Sequence, residues 1–220
     1  MSSSTDPVPS ASTGWWQCRA LRADGSPAWF AGVHSGTYED GARVDLPESE
    51  ATAAIGDDDV WCVAHFGSDG EVTTLTVTPS AAPKAPPLWF AELPERDAKP
   101  PAVSLVAFAE HGVDAGRLLD RTALREVDVV SKDQLGAVRW YPRTGEVDQI
   151  YVTPQWRRRS IATAILCAAA TLSVIRDWTR LWADGQRTAM GDRLRDAGPW
   201  AHRAADLTHL SPPMTPFDER

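Results

Sequence analysis

The sequence predicts a mixed α+β fold in which a central, mostly antiparallel sheet is covered by helices. Short segments of strand character recur along most of the chain, and several of them are separated by tight turns. One long apolar helix is predicted from about Ile161 to Asp177. A chain of 220 residues with 43% hydrophobic residues can bury one good core, which allows one large domain or a domain with a small appendage.

The first thirteen residues are rich in Ser, Thr and Pro and are predicted to be a disordered tail, because they have neither the basic cluster nor the apolar stretch of a signal peptide. No apolar run reaches the roughly 18 residues that cross a bilayer, so we expect a soluble protein without a membrane partner. The three cysteines are far apart and flanked by apolar residues, which is typical of reduced core thiols and of a cytoplasmic protein: Cys18, Cys62 and Cys167.

Residues 14–82 are predicted to be rich in β-structure. The Gly67–Gly70 turn joins the last two strands into a hairpin, and Ser49–Ile55 is a candidate short helix. This part either forms an extension or supplies the first strands of the central sheet. The four predicted strands are Trp15–Leu21, Ala28–His34, Val60–Phe66 and Glu71–Thr78.

Six prolines fall between Pro83 and Pro101, which predicts a linker over 83–101 without regular helix or central strand. Residues 102–216 form the second predicted part. It begins with a strand at Val103–Phe108, a short helix at Ala115–Leu124 and a strand at Glu126–Val130.

The rest of this second part has the clearest pattern. Two strands joined by a Pro142–Gly145 turn should form an antiparallel hairpin. The long helix, a short strand and a last helix that ends before Gly198 follow. The predicted bounds are Leu135–Tyr141 and Glu146–Val152 for the hairpin, Leu181–Ala183 for the strand and Gln186–Ala197 for the last helix.

The stretch between Gly145 and Leu166 runs from strand through a basic loop of small residues into a helix. The unpaired N–H groups of a helix's first turn carry about half a positive charge and bind anions. Three consecutive arginines, Arg157 to Arg159, add charge, and the small side chains at Ser160 and Ala162 let a phosphate approach the backbone. The pattern predicts a pyrophosphate site, although three arginines in a row are also common on solvated surfaces.

This stretch resembles the cofactor motif of the GNAT superfamily of acyl-CoA-dependent N-acyltransferases, in which a strand leads into Arg/Gln-x-x-Gly-x-Gly/Ala and a helix. Ser160 stands where the family usually has Gly, and Arg158 where it often does. The resemblance implies a GNAT-like fold with acetyl-CoA as acyl donor, its pantetheine arm on the strand end and its pyrophosphate on the loop. The implied contacts are Ile150, Tyr151 and Val152 on the strand and Arg157, Arg158, Arg159, Ser160, Ile161, Ala162 and Thr163 on the loop.

The same resemblance implies the catalytic groups. Glu146 occupies the position from which many members supply a catalytic glutamate, and Asp148 is a second candidate. Strand alternation predicts that both lie on one face with Ile150 and Val152, although either carboxylate could equally face solvent. Gln186 begins a stretch that resembles the family's Asn-x-x-Ala and is a further expected cofactor contact, whereas Leu194 falls where the usual tyrosine acid would be.

The leading functional hypothesis is therefore transfer of an acetyl or other short acyl group to an amine. The rival is a catalytically degenerate GNAT-like fold that serves as a binding or structural module in a larger assembly. Residues 1–134 carry 10 basic and 21 acidic groups and residues 135–220 carry 12 and 9, which are net charges of −11 and +3. This acidity argues against a nucleic-acid partner and suits a cationic acceptor, either a small molecule or a protein lysine.

Two further predictions concern partners and metals. Trp15 and Trp16 follow the predicted tail and could form an exposed patch for a homo-oligomer or a protein partner. The five histidines show no metal-ligand spacing, so no metal site is expected.

Overall fold

Two five-stranded sheets and one long helix make up most of the described chain, which confirms the α+β class. The computed structural model describes residues 16–32, 40–44, 60–197 and 201–210, without the side chains of residues 16, 197 and 201. The predicted tail, the predicted helix at Ser49–Ile55 and Trp15 lie outside these residues, and Trp16 is described by its backbone alone.

The first sheet has the strand order β3-β2-β1-β4-β5, and its strands pair antiparallel except for β1 with β4. The four strands predicted before Pro83 are confirmed to within two residues at each end. The predicted hairpin turn is also confirmed, because the Gly67 N–H donates to the Glu71 carbonyl at 2.7 Å. The strands are β1 Trp16–Leu21, β2 Pro27–Gly32, β3 Arg43–Val44, β4 Val60–Phe66 and β5 Val72–Val77.

The second sheet has the order β10-β9-β7-β6-β8 and is antiparallel except for β6 with β8. Its edge at β8 meets the edge of the first sheet, where the Leu75 N–H donates to the Gly116 carbonyl at 2.7 Å. The strands are β6 Trp89–Glu95, β7 Ala102–Phe108, β8 Leu118–Leu119, β9 Gly136–Trp140 and β10 Val147–Val152.

The prediction of a linker without a central strand over 83–101 is wrong, because strand β6 lies within this segment. Five of the six prolines lie outside the strand, and Trp89, Phe90 and Ala91 are buried within it. Pro94 lies inside, but β8 pairs with β6 only at Phe90 and Ala91, so at Pro94 the missing N–H interrupts no ladder on that side.

Two other predicted elements are shorter or different. The predicted helix at Ala115–Leu124 is reduced to α1, Arg121–Leu124, because Leu118 and Leu119 pair with β6. The predicted strand at Glu126–Val130 is a turn in which the Glu126 N–H donates to the Ala123 carbonyl at 3.1 Å.

The long helix α2, Ile161–Ile175, lies against strands of both sheets. Eleven of its 15 residues are buried, so the helix is surrounded by protein on nearly every side. Its run of alanines permits this close packing, as does Gly136 on β9, where a Cβ would lie 3.0 Å from Ile165 Cδ1. This confirms the predicted helix, which ends two residues earlier than expected.

One hydrophobic cluster unites both predicted parts of the chain, since Trp61 and Leu75 from the first sheet belong to it together with Leu105 and Trp140 from the second. The three cysteines are buried in the same cluster and unpaired, as predicted. Burial raises the pKa of the Cys62 thiol to about 12. Within the described ranges, no helix has both the length and the apolar character required to cross a bilayer.

The remaining elements follow α2. They are β11 Gln186–Arg187, helix α3 Ala189–Ala197 and β12 His209–Leu210, which pairs in parallel with β11. The predicted strand at Leu181–Ala183 is present only as isolated bridges to Glu146 and Ala204. The predicted last helix begins at Ala189 rather than Gln186, because Gln186 and Arg187 are paired with β12.

Candidate active site

A cleft opens where β10 separates from the segment 181–188. Glu146 and Trp182 form a parallel bridge, in which the Val147 N–H donates to the Trp182 carbonyl at 2.9 Å. No further bridge joins the two segments in the described chain, and a cavity of about 450 Å³ lies between them. Its walls are formed by Glu146 and residues 147–150 of β10, by Leu166 of α2, by residues 181–184 and 186–188, and by Gly191, Leu194, Arg195, Arg203 and Ala204.

Gly145 determines the shape of the closed end of this cleft. It has a φ of +76°, and a Cβ at this position would overlap the backbone carbonyl of Arg180. The Gly145 carbonyl accepts a hydrogen bond from the Trp182 N–H at 2.9 Å. Glycine is therefore required here both for its backbone conformation and for the close approach of the two segments.

Glu146 lies on the cleft wall and is half-buried. Its backbone N–H donates to Thr144 Oγ1 at 3.4 Å. Its carboxylate makes no hydrogen bond or ion pair with another described residue, so the group is available to a ligand in the cleft.

Asp148 also lines the cleft, but its carboxylate is already bound. Arg139 Nη1 donates to one oxygen at 2.6 Å and the Tyr141 hydroxyl donates to the other at 2.7 Å. The hydrogen bond to Asp148 raises the pKa of Tyr141, which keeps the phenol protonated as the donor. Asp148 is therefore a structural anion rather than a free base.

The prediction that Glu146, Asp148, Ile150 and Val152 share one strand face is wrong. The pairing of β10 with β9 shifts register between Val147 and Gln149, so Asp148 is the extra residue of a bulge. Beyond it, Ile150 and Val152 pack towards the hydrophobic core, whereas Asp148 turns towards Arg139.

The backbone groups of the predicted cofactor contacts at the end of β10, Ile150, Tyr151 and Val152, point in different directions. The Thr153 N–H donates to Leu135 on the β9 side at 2.9 Å, and alternation along the strand then directs the backbone groups of Tyr151 towards β9 as well. The backbone groups of Ile150 and Val152 point to the open edge. Arg157 Nε already donates to the Val152 carbonyl at 3.1 Å.

The basic loop adopts the backbone conformation that glycine favours. Arg158 has a φ of 62° and Ser160 a φ of 56°, which is the left-handed region at both positions. The first hydrogen bond of α2 runs from the Ala164 N–H to the Ser160 carbonyl at 2.9 Å. The N–H groups of residues 158–163 donate to no described acceptor, so six consecutive amides are available to a ligand or to water.

The three arginines of this loop have different environments. Arg157 contacts the end of β10, and the Arg159 guanidinium lies 4.9 Å from the centre of the Trp156 ring. Arg158 is exposed, and its side chain makes no hydrogen bond or ion pair with a described residue. None of residues 157–163 lines the cavity itself, and the lining residues nearest to the loop in the chain are Ile150 on β10 and Leu166 on α2.

The opposite wall carries Gln186 and Leu194. Gln186 is exposed at the cleft, and its backbone N–H donates to Asp184 Oδ1 at 2.9 Å. Leu194 lies on α3 and faces the cleft, so this position offers a methyl group where the resemblance implies a hydroxyl.

Three arginines on this wall were not predicted: Arg187, Arg195 and Arg203. Arg187 forms an ion pair with Asp192 at 3.2 Å, and Arg203 donates to Asp40 Oδ2 at 2.8 Å. The second contact joins residues 163 positions apart, so no local pattern could have indicated it.

Comparison with protein-family models, with curated proteins and with solved structures finds no match to this chain. The described residues contain no group of three or more His, Cys, Asp or Glu side chains arranged as a metal site.

Proposed function

We propose that this protein is an N-acyltransferase that moves an acetyl or other short acyl group from acyl-CoA to an amine, with a GNAT-like arrangement of β10, α2 and the segment 181–188. The observation that carries this proposal is the cleft that opens beyond the Glu146–Trp182 bridge. It has an unpaired carboxylate at its closed end, and the strand that forms one wall leads into a helix N-terminus with free amides.

The residues present fit an acyl-CoA. The open-edge backbone of Ile150 would pair with the pantetheine arm, and the amides of residues 158–163 together with Arg158 would hold the pyrophosphate. The left-handed φ at Arg158 and Ser160 supports this fit, because these two departures from the glycine motif change the side chain and keep the backbone shape. When bound, acyl-CoA supplies an acyl group activated as a thioester.

Glu146 is the proposed base. An acceptor ammonium would give one proton to this carboxylate, which exposes the nitrogen lone pair for attack. The acceptor nitrogen forms a bond to the acyl carbon as the carbon–sulfur bond breaks. A second proton leaves the nitrogen for the departing thiolate, and Glu146 returns its own proton to solvent, so the products are an amide, a thiol and one proton.

Leu194 stands at the position where the resemblance implies a tyrosine, so the cleft has no hydroxyl group there. A free thiol has a pKa of about 8.5, so a thiolate is stable enough to depart without an acid and to take the second proton that the acceptor nitrogen loses. The rival proposal, a binding or structural module, rests on this same residue, because loss of the acid is expected where selection for catalysis is relaxed.

Calorimetric titration of the full chain with coenzyme A and acetyl-CoA tests the proposal, followed by mass spectrometry of a panel of amines incubated with both. A ligand present at a hundredfold excess over its dissociation constant stabilises the folded state by about 2.7 kcal/mol, so the melting temperature should also rise. Absence of binding at millimolar coenzyme A would overturn the acyltransferase proposal and would leave the structural module. Binding without transfer to any amine would favour the module.

A matched pair of variants locates the site. Ala162→Trp adds bulk at the first turn of α2, where the phosphates would approach, and should abolish binding of coenzyme A. Thr122→Trp adds the same bulk at an exposed position in the first turn of α1 and should leave it unchanged. Equal affinity of the two variants would show that the anion binds elsewhere.

A further inference from the structure

Six charged side chains line the cleft, and they differ in whether a partner already binds them. Three of them are neutralised by close partners. Asp148 is bound by Arg139 at 2.6 Å, Arg187 by Asp192 at 3.2 Å, and Arg203 by Asp40. A fourth, Asp184, accepts the backbone N–H of Gln186 at 2.9 Å and so holds the turn before β11. The two that remain for a ligand are Glu146 and Arg195.

Arg195 is weakly held. The one ion pair that it forms with a described residue joins Nη2 to Asp206 at 3.5 Å, and the Asp206 side chain is 100% exposed, so solvent screens this contact strongly. The Nε atom of Arg195 is buried and has no hydrogen-bond partner among the described residues. A buried N–H group almost always has an acceptor, which indicates that a ligand or water supplies one here.

The chemistry of the missing acceptor follows from the guanidinium group. Its planar array of N–H donors matches the two oxygens of a carboxylate, and such charge-assisted pairs are stronger than neutral hydrogen bonds. Glu146 meanwhile suits an ammonium group. We infer that the acceptor carries a carboxylate as well as its amine and that Arg195 binds this carboxylate, which makes amino acids and similar zwitterions the substrate class.

This inference rests on the proposed function and replaces the cationic acceptor that the net charge favoured. A phosphate of the acyl donor is the other oxyanion that Arg195 could bind. The amides and arginine assigned to the phosphates, residues 158–163, lie outside the cavity that Arg195 lines. Arg195 instead lies next to Leu194 on α3, on the cavity wall that also includes Trp182.

The test measures binding of the twenty standard amino acids and of their carboxamides to the full chain by thermal shift and calorimetry, without any acyl donor. At least one amino acid should bind 10-fold or more tightly than its carboxamide. Arg195→Gln should reduce that affinity by about 10- to 100-fold, the range expected for one hydrogen-bonded charge, and should leave the carboxamide nearly unchanged. Arg193→Gln, on an exposed position of the same helix, is the matched control.

The outcomes separate the two proposals. Preference for the carboxylate in the wild type, lost in Arg195→Gln, supports the inference even if no acyl transfer is detected. Equal binding of acids and carboxamides by the wild type overturns it, and this result does not depend on whether any variant folds. If Arg195→Gln weakens coenzyme A binding and leaves acceptor preference intact, the oxyanion is a donor phosphate and the inference is wrong.

Discussion

Glu146 and Trp182 form the parallel bridge from which β10 and the segment 181–188 diverge. The Trp182 indole Nε1 also donates to the Thr144 carbonyl at 2.9 Å, so the tryptophan is fixed through both its backbone and its ring. These bonds hold the carboxylate of Glu146 at the closed end of the cleft by way of the backbone, without using its side-chain oxygens.

Glu146→Gln keeps the shape of the side chain and removes the base. We expect the rate of acyl transfer at neutral pH to fall by about 10²- to 10⁴-fold, with partial recovery as pH rises and the acceptor loses its proton to solvent. Cofactor affinity should not change. Initial rates over a pH series measure this, with Glu126→Gln, an exposed carboxylate outside the cleft, as control. An undiminished rate across the series would remove Glu146 from the mechanism.

Ser160→Gly should stabilise the protein, because Ser160 has a φ of 56° and its side chain makes no capping hydrogen bond. The left-handed conformation costs a non-glycine residue about 1–2 kcal/mol, and glycine removes this strain. Glycine also has greater conformational freedom in the unfolded chain, which offsets part of the stabilisation, so we expect the free energy of unfolding to rise by about 1 kcal/mol. Urea denaturation measures it. Ser160→Ala is the control, since it removes the hydroxyl and keeps the strain. A glycine variant no more stable than the alanine variant would contradict the prediction.

Gly145→Ala should destabilise the fold and distort the closed end of the cleft, because the new Cβ would overlap the Arg180 carbonyl at a φ of +76°. Strain and overlap together should cost about 2–4 kcal/mol. Gly112→Ala separates the two effects, since Gly112 has a φ of +71° and open space around its Cβ position, so only the strain applies. If both variants lost the same free energy of unfolding in urea denaturation, the backbone near Arg180 would have moved to accommodate the new Cβ.

Asp40 makes stability depend on pH. Burial raises the pKa of Asp40, but hydrogen bonds and charge from Arg203 and then His202 outweigh burial and hold the pKa below its usual value. The unfolded value is about 3.9, so this stabilisation is complete above about pH 4 and is lost as pH falls through the lower folded value. Acid titration of unfolding should therefore show a smaller loss of stability below pH 4 in Asp40→Asn than in the wild type, and the part that remains comes from other carboxylates with lowered pKa values, such as Glu95.

At pH 7 the same substitution leaves the Arg203 guanidinium, whose side chain is 3% exposed, without its buried counter-charge. Breaking a buried pair in this way costs about 3–5 kcal/mol. Asp97→Asn, at an exposed position, should change the free energy of unfolding by less than about 0.5 kcal/mol. An Asp40→Asn protein as stable as the wild type at pH 7 would mean that the contact with Arg203 contributes nothing.

The sequence by itself determined those local elements whose patterns are short-range. Two segments of strand character around the Gly67–Gly70 turn predicted the hairpin β4–β5, and the long, mostly apolar stretch from Ile161 predicted α2. The basic loop before α2 was also predictable, since the residues that make a helix N-terminus attractive to anions are adjacent in the chain. The burial of the three cysteines was predictable for the same reason, because the apolar residues that flank each of them are adjacent in the chain.

Only the tertiary structure decided which charged groups are available in the cleft. The bulge at Asp148 depends on pairing with β9 and turns a candidate base into a partner of Arg139. Arg203 is neutralised by Asp40, far away in the chain, and Arg195 has no comparable partner among the residues that the structure describes. Charges are neutralised by whatever lies within a few ångströms in space, and that neighbourhood is set by strand register and helix packing rather than by the order of residues.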